Sequence, residues 1–265
     1  MKKGSVFYLQ LALVLVLIMS TNLINYGCNR KKPEMITNRN VYTLGHLTAK
    51  PRNNIAKSEV IFGKQPLKSG AKRDGFIYVP KGYNTDKPAP LAVMLHGAGG
   101  EAEHGLHLLR QYADKENMIL LAPASREVTW DIIAKDSFDA DVIFIDQALS
   151  LVFSSYNIDT SKIAIGGFSD GASYALCLGL SNGNLFTHII AFSPGFSYAA
   201  QKTGQPLVFI SHGIADRILP ISGCSRRIVP QLTKEGYNIN YKEFDGEHEI
   251  PQSISESAVE WFIKQ

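Results

Sequence analysis

Short apolar runs alternate with stretches of helical spacing along most of the chain, and this alternation constrains the fold more than any other feature. The apolar runs cover residues 76–79, 91–95, 119–122, 163–166, 188–192, 207–211 and 239–244. The helical stretches cover residues 102–117, 140–154, 171–180, 222–235 and 251–263. Near-continuous apolar strands indicate a parallel sheet that is buried on both faces, because each crossover helix covers one face. We therefore expect an α/β fold: a three-layer α/β/α sandwich with a mostly parallel central sheet and no large cap domain.

Length and the composition of the first residues divide the chain into three parts. The 265 residues leave room for a leader and one domain, because single cores stop growing near about 250 to 300 residues. Lys2 and Lys3 precede an apolar stretch at residues 6–19, which is typical of an export signal. We expect residues 1–28 to be a signal peptide or lipoprotein leader, residues 29–58 a flexible linker, and residues 59–265 the folded domain.

Cys28 follows the apolar segment directly, and the sequence is compatible with more than one way of processing the leader. Bacterial lipoproteins carry lipid on such a cysteine, but Asn25 and Tyr26 depart from the usual lipobox. A cleaved signal, a lipid anchor and an uncleaved anchor all predict an exported protein that is secreted, periplasmic or membrane-anchored. The net charge of +3 is small and comes largely from this region, so nucleic acid is not an expected partner.

Gly167, Phe168, Ser169, Asp170 and Gly171 form a G-x-S-x-G sequence between a predicted strand and a predicted helix. Glycine is required beside a turn this sharp, because larger side chains would collide with the neighbouring strand and helix. The turn holds the serine above the sheet, at the positive end of the helix dipole. We predict Ser169 as a nucleophile.

A serine hydroxyl needs a base that removes its proton, and the base needs an acid that orients it. His248 follows the last predicted strand, so it lies at the same edge of the sheet as Ser169. Asp216 follows the strand at residues 207–211. Asp245 is the alternative acid, but it precedes a glycine and favours a turn. We predict His248 as the general base and Asp216 as the acid.

Another glycine-rich loop, from His96 to Gly100, follows the strand at residues 91–95. Backbone amides in such a loop can approach a developing oxyanion closely. The expected donors are the amides of Asp170 and of Ala98 or Gly97. We expect His96 itself to bond within the loop.

Together these segments resemble the α/β-hydrolase superfamily, and more narrowly its phospholipase/carboxylesterase and feruloyl-esterase-like groups. The resemblance runs from about Asp74 to the last residue and includes the Tyr78-Val79-Pro80 entry strand. It implies a serine carboxylic-ester hydrolase that forms an acyl-enzyme on Ser169. No metal, nucleotide or flavin cofactor is implied. Asp170 departs from the glutamine that such carboxylesterases often carry after the nucleophile, and its carboxylate could oppose the oxyanion.

The resemblance also bears on the substrate. Lid insertions in this superfamily usually follow the strand that ends at Phe192, where this chain has only a short connection, so we expect an open site. Trp130 and Phe168 are candidate pocket residues. The alternatives are that Trp130 is a buried core residue and that Phe168 packs beneath the turn that carries Ser169. A small or carbohydrate-linked acyl ester fits an open site on an exported protein. An exported peptidase of the same superfamily and an inactive scaffold that binds a partner are the alternatives.

Overall fold

The structure, a computed structural model, describes residues 38–52 and 59–265 of the chain. The expected leader at residues 1–28, which includes Cys28, and residues 29–37 and 53–58 of the expected linker lie outside the described residues. Within the described part of the chain, no helix has the length and apolar character needed to cross a membrane.

An eight-stranded sheet forms the centre of the domain. Its strands are β1 (Gly63–Pro66), β2 (Gly75–Val79), β3 (Ala89–Leu95), β4 (Ile119–Pro123), β5 (Ile158–Phe168), β6 (His188–Phe192), β7 (Leu207–Gly213) and β8 (Ile239–Phe244). They lie in the order β1-β2-β4-β3-β5-β6-β7-β8. Only β2 runs antiparallel to its neighbours, β1 and β4, and all other pairs are parallel. The expected mostly parallel sheet is confirmed.

Helices cover both faces of this sheet. They are α1 (Asn38–Thr43), α2 (Ala102–His107), α3 (Arg110–Ala113), α4 (Asp131–Lys135), α5 (Ala140–Ser155), α6 (Asp170–Ser181), α7 (Ser225–Lys234) and α8 (Gln252–Lys264). Buried residues of α5, α6 and α7 join one apolar cluster, and those of α2, α3 and α8 join another. Along β3, Val93 belongs to the first cluster and Met94 to the second, because successive strand residues point to opposite faces. The α/β/α sandwich is therefore confirmed.

The stretch expected to form one helix at residues 102–117 forms two short helices, α2 and α3. Leu109 lies between them with φ −128° and ψ 3°, and its side chain is fully buried. Gly105 in α2 packs so closely on β3 that an added Cβ would overlap the carbonyl oxygen of Met94. The break lets the chain stay close to the sheet and still bury Leu109.

Residues 41–52 correct the prediction of a flexible linker over residues 29–58. The buried carboxylate of Asp146 in α5 accepts hydrogen bonds from the hydroxyl of Tyr42 at 2.8 Å and from the amides of Thr48 and Ala49, both at 2.8 Å. The buried side chain of Asn182 bonds two further backbone groups of the same segment. This segment packs on the domain because two polar side chains distant in sequence bind its backbone. We therefore propose that the folded domain begins before residue 59, by Tyr42.

Candidate active site

Ser169 lies at the turn between β5 and α6 in a strained backbone conformation, with φ 57° and ψ −121°. This conformation is uncommon for residues other than glycine and costs about 1 to 3 kcal/mol. A Cβ added at Gly171 would overlap the carbonyl oxygen of Leu95, so the turn has no room for a larger residue there. The Ser169 amide donates to the carbonyl oxygen of Phe192 at 2.9 Å, which fixes the turn to β6. The packing thus explains the glycine and holds the serine above the strand ends.

A continuous chain of hydrogen bonds joins Ser169, His248 and Asp216. His248 Nε2 lies 2.9 Å from Ser169 Oγ, and His248 Nδ1 lies 2.6 Å from Asp216 Oδ2. A carboxylate only accepts hydrogen bonds, so Nδ1 of the neutral ring carries the hydrogen and Nε2 is free to accept from Ser169. The structure therefore brings the three residues together in the arrangement of a nucleophile, a base and an orienting acid.

Asp216 is buried, and its second oxygen is also held. Its Oδ1 accepts the amides of Ile218 at 2.9 Å and Leu219 at 2.8 Å. Burial raises the pKa of Asp216, but the hydrogen bonds from His248 and from these amides outweigh burial and bring the pKa below its ordinary value. Asp216 is thus ionised at neutral pH. Asp245, the alternative acid, is exposed, and within the described residues its carboxylate accepts no hydrogen bond.

The glycine-rich loop after β3 lies directly beside Ser169. A Cβ added at Gly97 would be 3.4 Å from the Cβ of Ser169. Within the described residues, the amides of Gly97, Ala98 and Asp170 donate to no protein group, so all three expected donors are free to bind an oxyanion. The structure therefore places the loop where an oxyanion hole requires it.

His96 fixes the shape of this loop and does not contact Ser169. Its Nδ1 donates to the carbonyl oxygen of Gly97 at 2.7 Å, and its Nε2 accepts the amide of Ser125 at 2.9 Å. Burial lowers the pKa of His96, so the ring stays neutral while it bridges the two loops. This agrees with the expectation that His96 bonds within the loop.

Trp130 corrects the prediction of a pocket residue, because its side chain is fully buried. Its indole Nε1 donates to the carbonyl oxygen of His96 at 2.9 Å, and its ring stacks on Tyr174 with centroids 5.1 Å apart. Trp130 thus supports the glycine-rich loop from below. Phe168, the other candidate pocket residue, is partly exposed and lies beside His248 with ring centroids 4.6 Å apart.

The Asp170 carboxylate, which we expected near the oxyanion, is hydrogen-bonded to a side chain. Its Oδ2 accepts a hydrogen bond from Thr129 Oγ1 at 2.6 Å. Thr129 comes just before Trp130, so the segment that supports the glycine-rich loop also binds this carboxylate. The hydroxyl stabilises the negative charge and holds it in one direction. No local sequence signal points to this contact, because Thr129 lies in a loop distant in sequence from Asp170.

An open, mostly apolar cleft of about 460 Å³ is lined by Ile132, Ile133, Asp136, Phe196 and Tyr198. Both walls are tied to α6. Asp131 accepts a hydrogen bond from the hydroxyl of Tyr174 at 2.9 Å, and the amide of Gly195 donates to Ser173 Oγ at 2.8 Å. Phe196 and Tyr198 are 37% and 50% exposed, so both aromatic rings can contact a bound molecule. The segments that carry both walls of the cleft are therefore hydrogen-bonded to the first turns of α6.

In the portion of the chain that the structure describes, no three His, Cys, Asp or Glu side chains cluster as metal ligands. The hydrogen bonds at Ser169, His248 and Asp216 are suited to proton transfer and nucleophilic attack.

Comparisons with known proteins agree with this geometry. Residues 135–264 match the phospholipase/carboxylesterase family. A probable feruloyl esterase C of Aspergillus oryzae is 30% identical over 178 residues, which cover 61% of this chain and 63% of that protein. A bifunctional acetylxylan esterase/xylanase of Neocallimastix patriciarum is 28% identical over 159 residues, 57% of this chain and 22% of that protein. The chain thus spans less than two thirds of the length of these curated relatives.

Solved structures share the fold. An acetyl xylan esterase from Aspergillus awamori has a TM-score of 0.61 at 14% identity, covering 76% of this chain and 98% of that one. Esterase PE8 has a TM-score of 0.56 at 20% identity, covering 72% of this chain and 97% of that one.

Proposed function

We propose that this chain is a member of the α/β-hydrolase superfamily and a serine hydrolase that cleaves carboxylic esters through an acyl-enzyme intermediate. The observation that carries the proposal is the hydrogen-bonded chain from Ser169 through His248 to Asp216, at the open carboxyl edge of the sheet. The family match and the esterase relatives support the same reaction.

In the first half of the reaction, Ser169 Oγ attacks the ester carbonyl carbon while His248 Nε2 takes the hydroxyl proton. Asp216 stabilises the imidazolium that forms, and the amides of Asp170 and of Ala98 or Gly97 bind the oxyanion. The carbon–oxygen bond to the alcohol then breaks, and His248 gives its proton to the departing alcohol.

In the second half, a water molecule attacks the acyl-enzyme and His248 takes its proton. The tetrahedral intermediate collapses, the acid leaves, and the proton returns to Ser169 Oγ. No proton, electron or cofactor is consumed beyond the one water that is added. The roles of these residues are part of the proposal.

We propose small or carbohydrate-linked acyl esters as substrates of an exported enzyme. The exposed rings of Phe196 and Tyr198 favour a flat acyl group, because aromatic pairs add about 0.5 to 1.5 kcal/mol beyond burial. Relatives named feruloyl esterase and acetylxylan esterase support both an aromatic and an acetyl group. The amino-terminal Lys2, Lys3 and the apolar stretch at residues 6–19 support export, with lipidation at Cys28 as one form of it.

Labelling by a fluorophosphonate probe tests the mechanism. The purified wild type is compared with Ser169→Ala, His248→Ala and, as a matched control, Ser161→Ala at an exposed position near the start of β5. We expect mass spectrometry to find the label on Ser169 alone, with labelling lost in the Ser169 variant, strongly slowed in the His248 variant and unchanged in the control. Well-folded wild type that takes no label would contradict the proposal.

A substrate panel tests the reaction class. It contains acetyl, hydroxycinnamoyl and long-chain acyl esters, as well as amide and peptide substrates. We expect hydrolysis of the short and aromatic esters. Turnover of peptides with no turnover of any ester would replace the esterase proposal with a peptidase.

A further inference from the structure

A second histidine shares the carboxylate oxygen that orients the proposed base. His212, near the end of β7, lies with Nε2 3.2 Å from Asp216 Oδ2, the same oxygen that His248 Nδ1 approaches at 2.6 Å. The side chains of His212 and Asp216 are both fully buried. The proposed mechanism gives His212 no role, although its ring lies against the Asp216 carboxylate.

The protonation of His212 follows from its other contacts. Nε2 also lies 2.8 Å from the carbonyl oxygen of Leu219, and a carbonyl only accepts, so Nε2 carries the hydrogen. Nδ1 lies 2.7 Å from Ser225 Oγ and accepts the hydroxyl hydrogen. Burial lowers the pKa of His212, so at neutral pH the ring is neutral and presents one N–H between Leu219 and Asp216.

These contacts close the connection between β7 and α7. Asp216 lies in this connection, Leu219 follows it by three residues, and Ser225 begins α7. His212 thus bonds the strand before Asp216 to the loop and the helix after it. The amide of Leu219 donates to Asp216 Oδ1 while its carbonyl accepts from His212. Leu219 therefore contacts Asp216 Oδ1 directly through its amide. Its carbonyl oxygen binds the His212 Nε2–H that faces Asp216 Oδ2.

We propose that His212 is a positioning residue that aims Asp216 Oδ2 at His248 through its Nε2–H. It acts through Asp216 and does not contact the reacting atoms. The inference rests on the proposed function, because positioning matters for activity only if His248 is the base.

The test compares His212→Leu, which removes the N–H, with His212→Gln, whose amide nitrogen stands at the same distance along the side chain as Nε2. The Gln variant keeps a donor for Leu219 and Asp216 and gives up the Ser225 contact. His188→Leu is the matched control, since His188 is also buried but lies at the first residue of β6, at the opposite edge of the sheet. Circular dichroism and thermal unfolding confirm that each variant is folded.

We expect kcat for an ester to fall about 10- to 100-fold in the Leu variant with KM little changed, the scale of losing one N–H that faces a charged oxygen. The Gln variant recovers most of this loss, and the control keeps wild-type kcat. An independent reading is the downfield proton resonance of the hydrogen bond between His248 Nδ1 and Asp216. It shifts upfield or broadens in the Leu variant and is retained in the Gln variant.

Two results overturn the proposal: a folded Leu variant that keeps both kcat and the downfield resonance, or a folded Gln variant that loses both as fully as Leu does. Failure of the proposed function is distinct from either. A wild type that neither hydrolyses esters nor takes the fluorophosphonate label would remove the function, while the resonance would still decide the role of His212.

Discussion

The carboxylates of Asp131 and Asp141 cap each other's helices. Asp131 is the first residue of α4, and Asp141 is the second residue of α5. Asp141 Oδ2 accepts the amide of Asp131 at 2.8 Å, and Asp131 Oδ2 accepts the amide of Asp141 at 3.0 Å. Asp131 also accepts a hydrogen bond from the hydroxyl of Tyr174, whose ring stacks on Trp130. This buried carboxylate pair therefore underlies the loop that supports the proposed oxyanion hole.

The pair predicts a dependence of stability on pH. Burial, with a smaller effect of the Asp131 charge, raises the pKa of Asp141 to about 6. A carboxyl group whose pKa is raised on folding contributes stability below its unfolded value near 4, and this stability is lost as pH rises toward about 6. Asp141→Asn removes the titration, so its free energy of unfolding should change less than that of the wild type between pH 4 and 6.5.

Urea unfolding at several pH values measures this slope. The Asn variant should also lose about 1 to 3 kcal/mol at every pH, because its amide offers one acceptor where two backbone amides need one each. Asp139→Asn, at an exposed neighbouring carboxylate, serves as the control and should keep the wild-type slope. A slope in the Asp141 variant equal to that of the wild type would refute the assignment.

His188 predicts the opposite dependence over an overlapping range. Burial, and then the charge of Lys162, lowers the pKa of His188 to about 4 from 6.5. When the pKa of a base is lowered on folding, its full contribution to the stability is present above pH 6.5. That contribution is lost as the pH falls toward about 4. The difference corresponds to about 3 kcal/mol.

The free energy of unfolding of His188→Leu, measured relative to that of the wild type, should therefore be higher at pH 4.5 than at pH 7.5. The ring packs between Trp261 and Phe262, with centroids 5.1 and 4.9 Å away, so an apolar side chain suits the site. Guanidinium unfolding at the two pH values gives the comparison. His46→Leu, at a partly exposed histidine on the domain surface, is the control and should show no such gain in acid. An equal loss of stability in acid for wild type and the His188 variant would contradict the prediction.

The sequence predicted the fold and the positions of Ser169, Asp216 and His248 because each depends on short-range information. Each residue lies within about five residues of the end of a recognisable apolar strand. Parallel strands bring their carboxyl ends to one edge of the sheet. Whether these residues act as assigned stays a prediction until the labelling experiment is done.

The supporting contacts could not be predicted from the sequence. Trp130, the partnership of Thr129 with Asp170, and the sharing of Asp216 by His212 all depend on how separate loops pack together. Trp130 is an aromatic residue of the type that lines substrate pockets, and only its burial in the structure shows that it supports the glycine-rich loop. The packed segment at residues 41–52 was missed for the same reason, since its partners Asp146 and Asn182 lie in distant helices.

The hydrogen bond between Thr129 and Asp170 predicts a rate effect. Thr129→Val keeps the shape of the side chain but frees the carboxylate, whose charge then opposes the oxyanion more strongly. We expect kcat to fall about 3- to 10-fold, the scale of one partly screened charge interaction. Steady-state kinetics on an activated ester gives the measurement.

A double-mutant cycle isolates the cause. In an Asp170→Asn background the charge is absent, so adding Thr129→Val should change kcat little. If Thr129→Val lowers kcat equally in both backgrounds, the threonine acts through loop packing and not through the carboxylate.

The aromatic wall of the cleft predicts acyl selectivity. Phe196→Ala and Tyr198→Ala each remove an exposed ring that can stack on a flat acyl group, and each should lower kcat/KM for a hydroxycinnamoyl ester about 2- to 10-fold. An acetyl ester carries no aromatic ring to stack on these side chains, so we expect its kcat/KM to stay near the wild-type value. Leu151→Ala, at an exposed apolar residue of α5, is the matched control and should change neither. If both esters lose activity in parallel, the rings support the fold of the cleft, and the acyl group binds elsewhere along the carboxyl edge of the sheet.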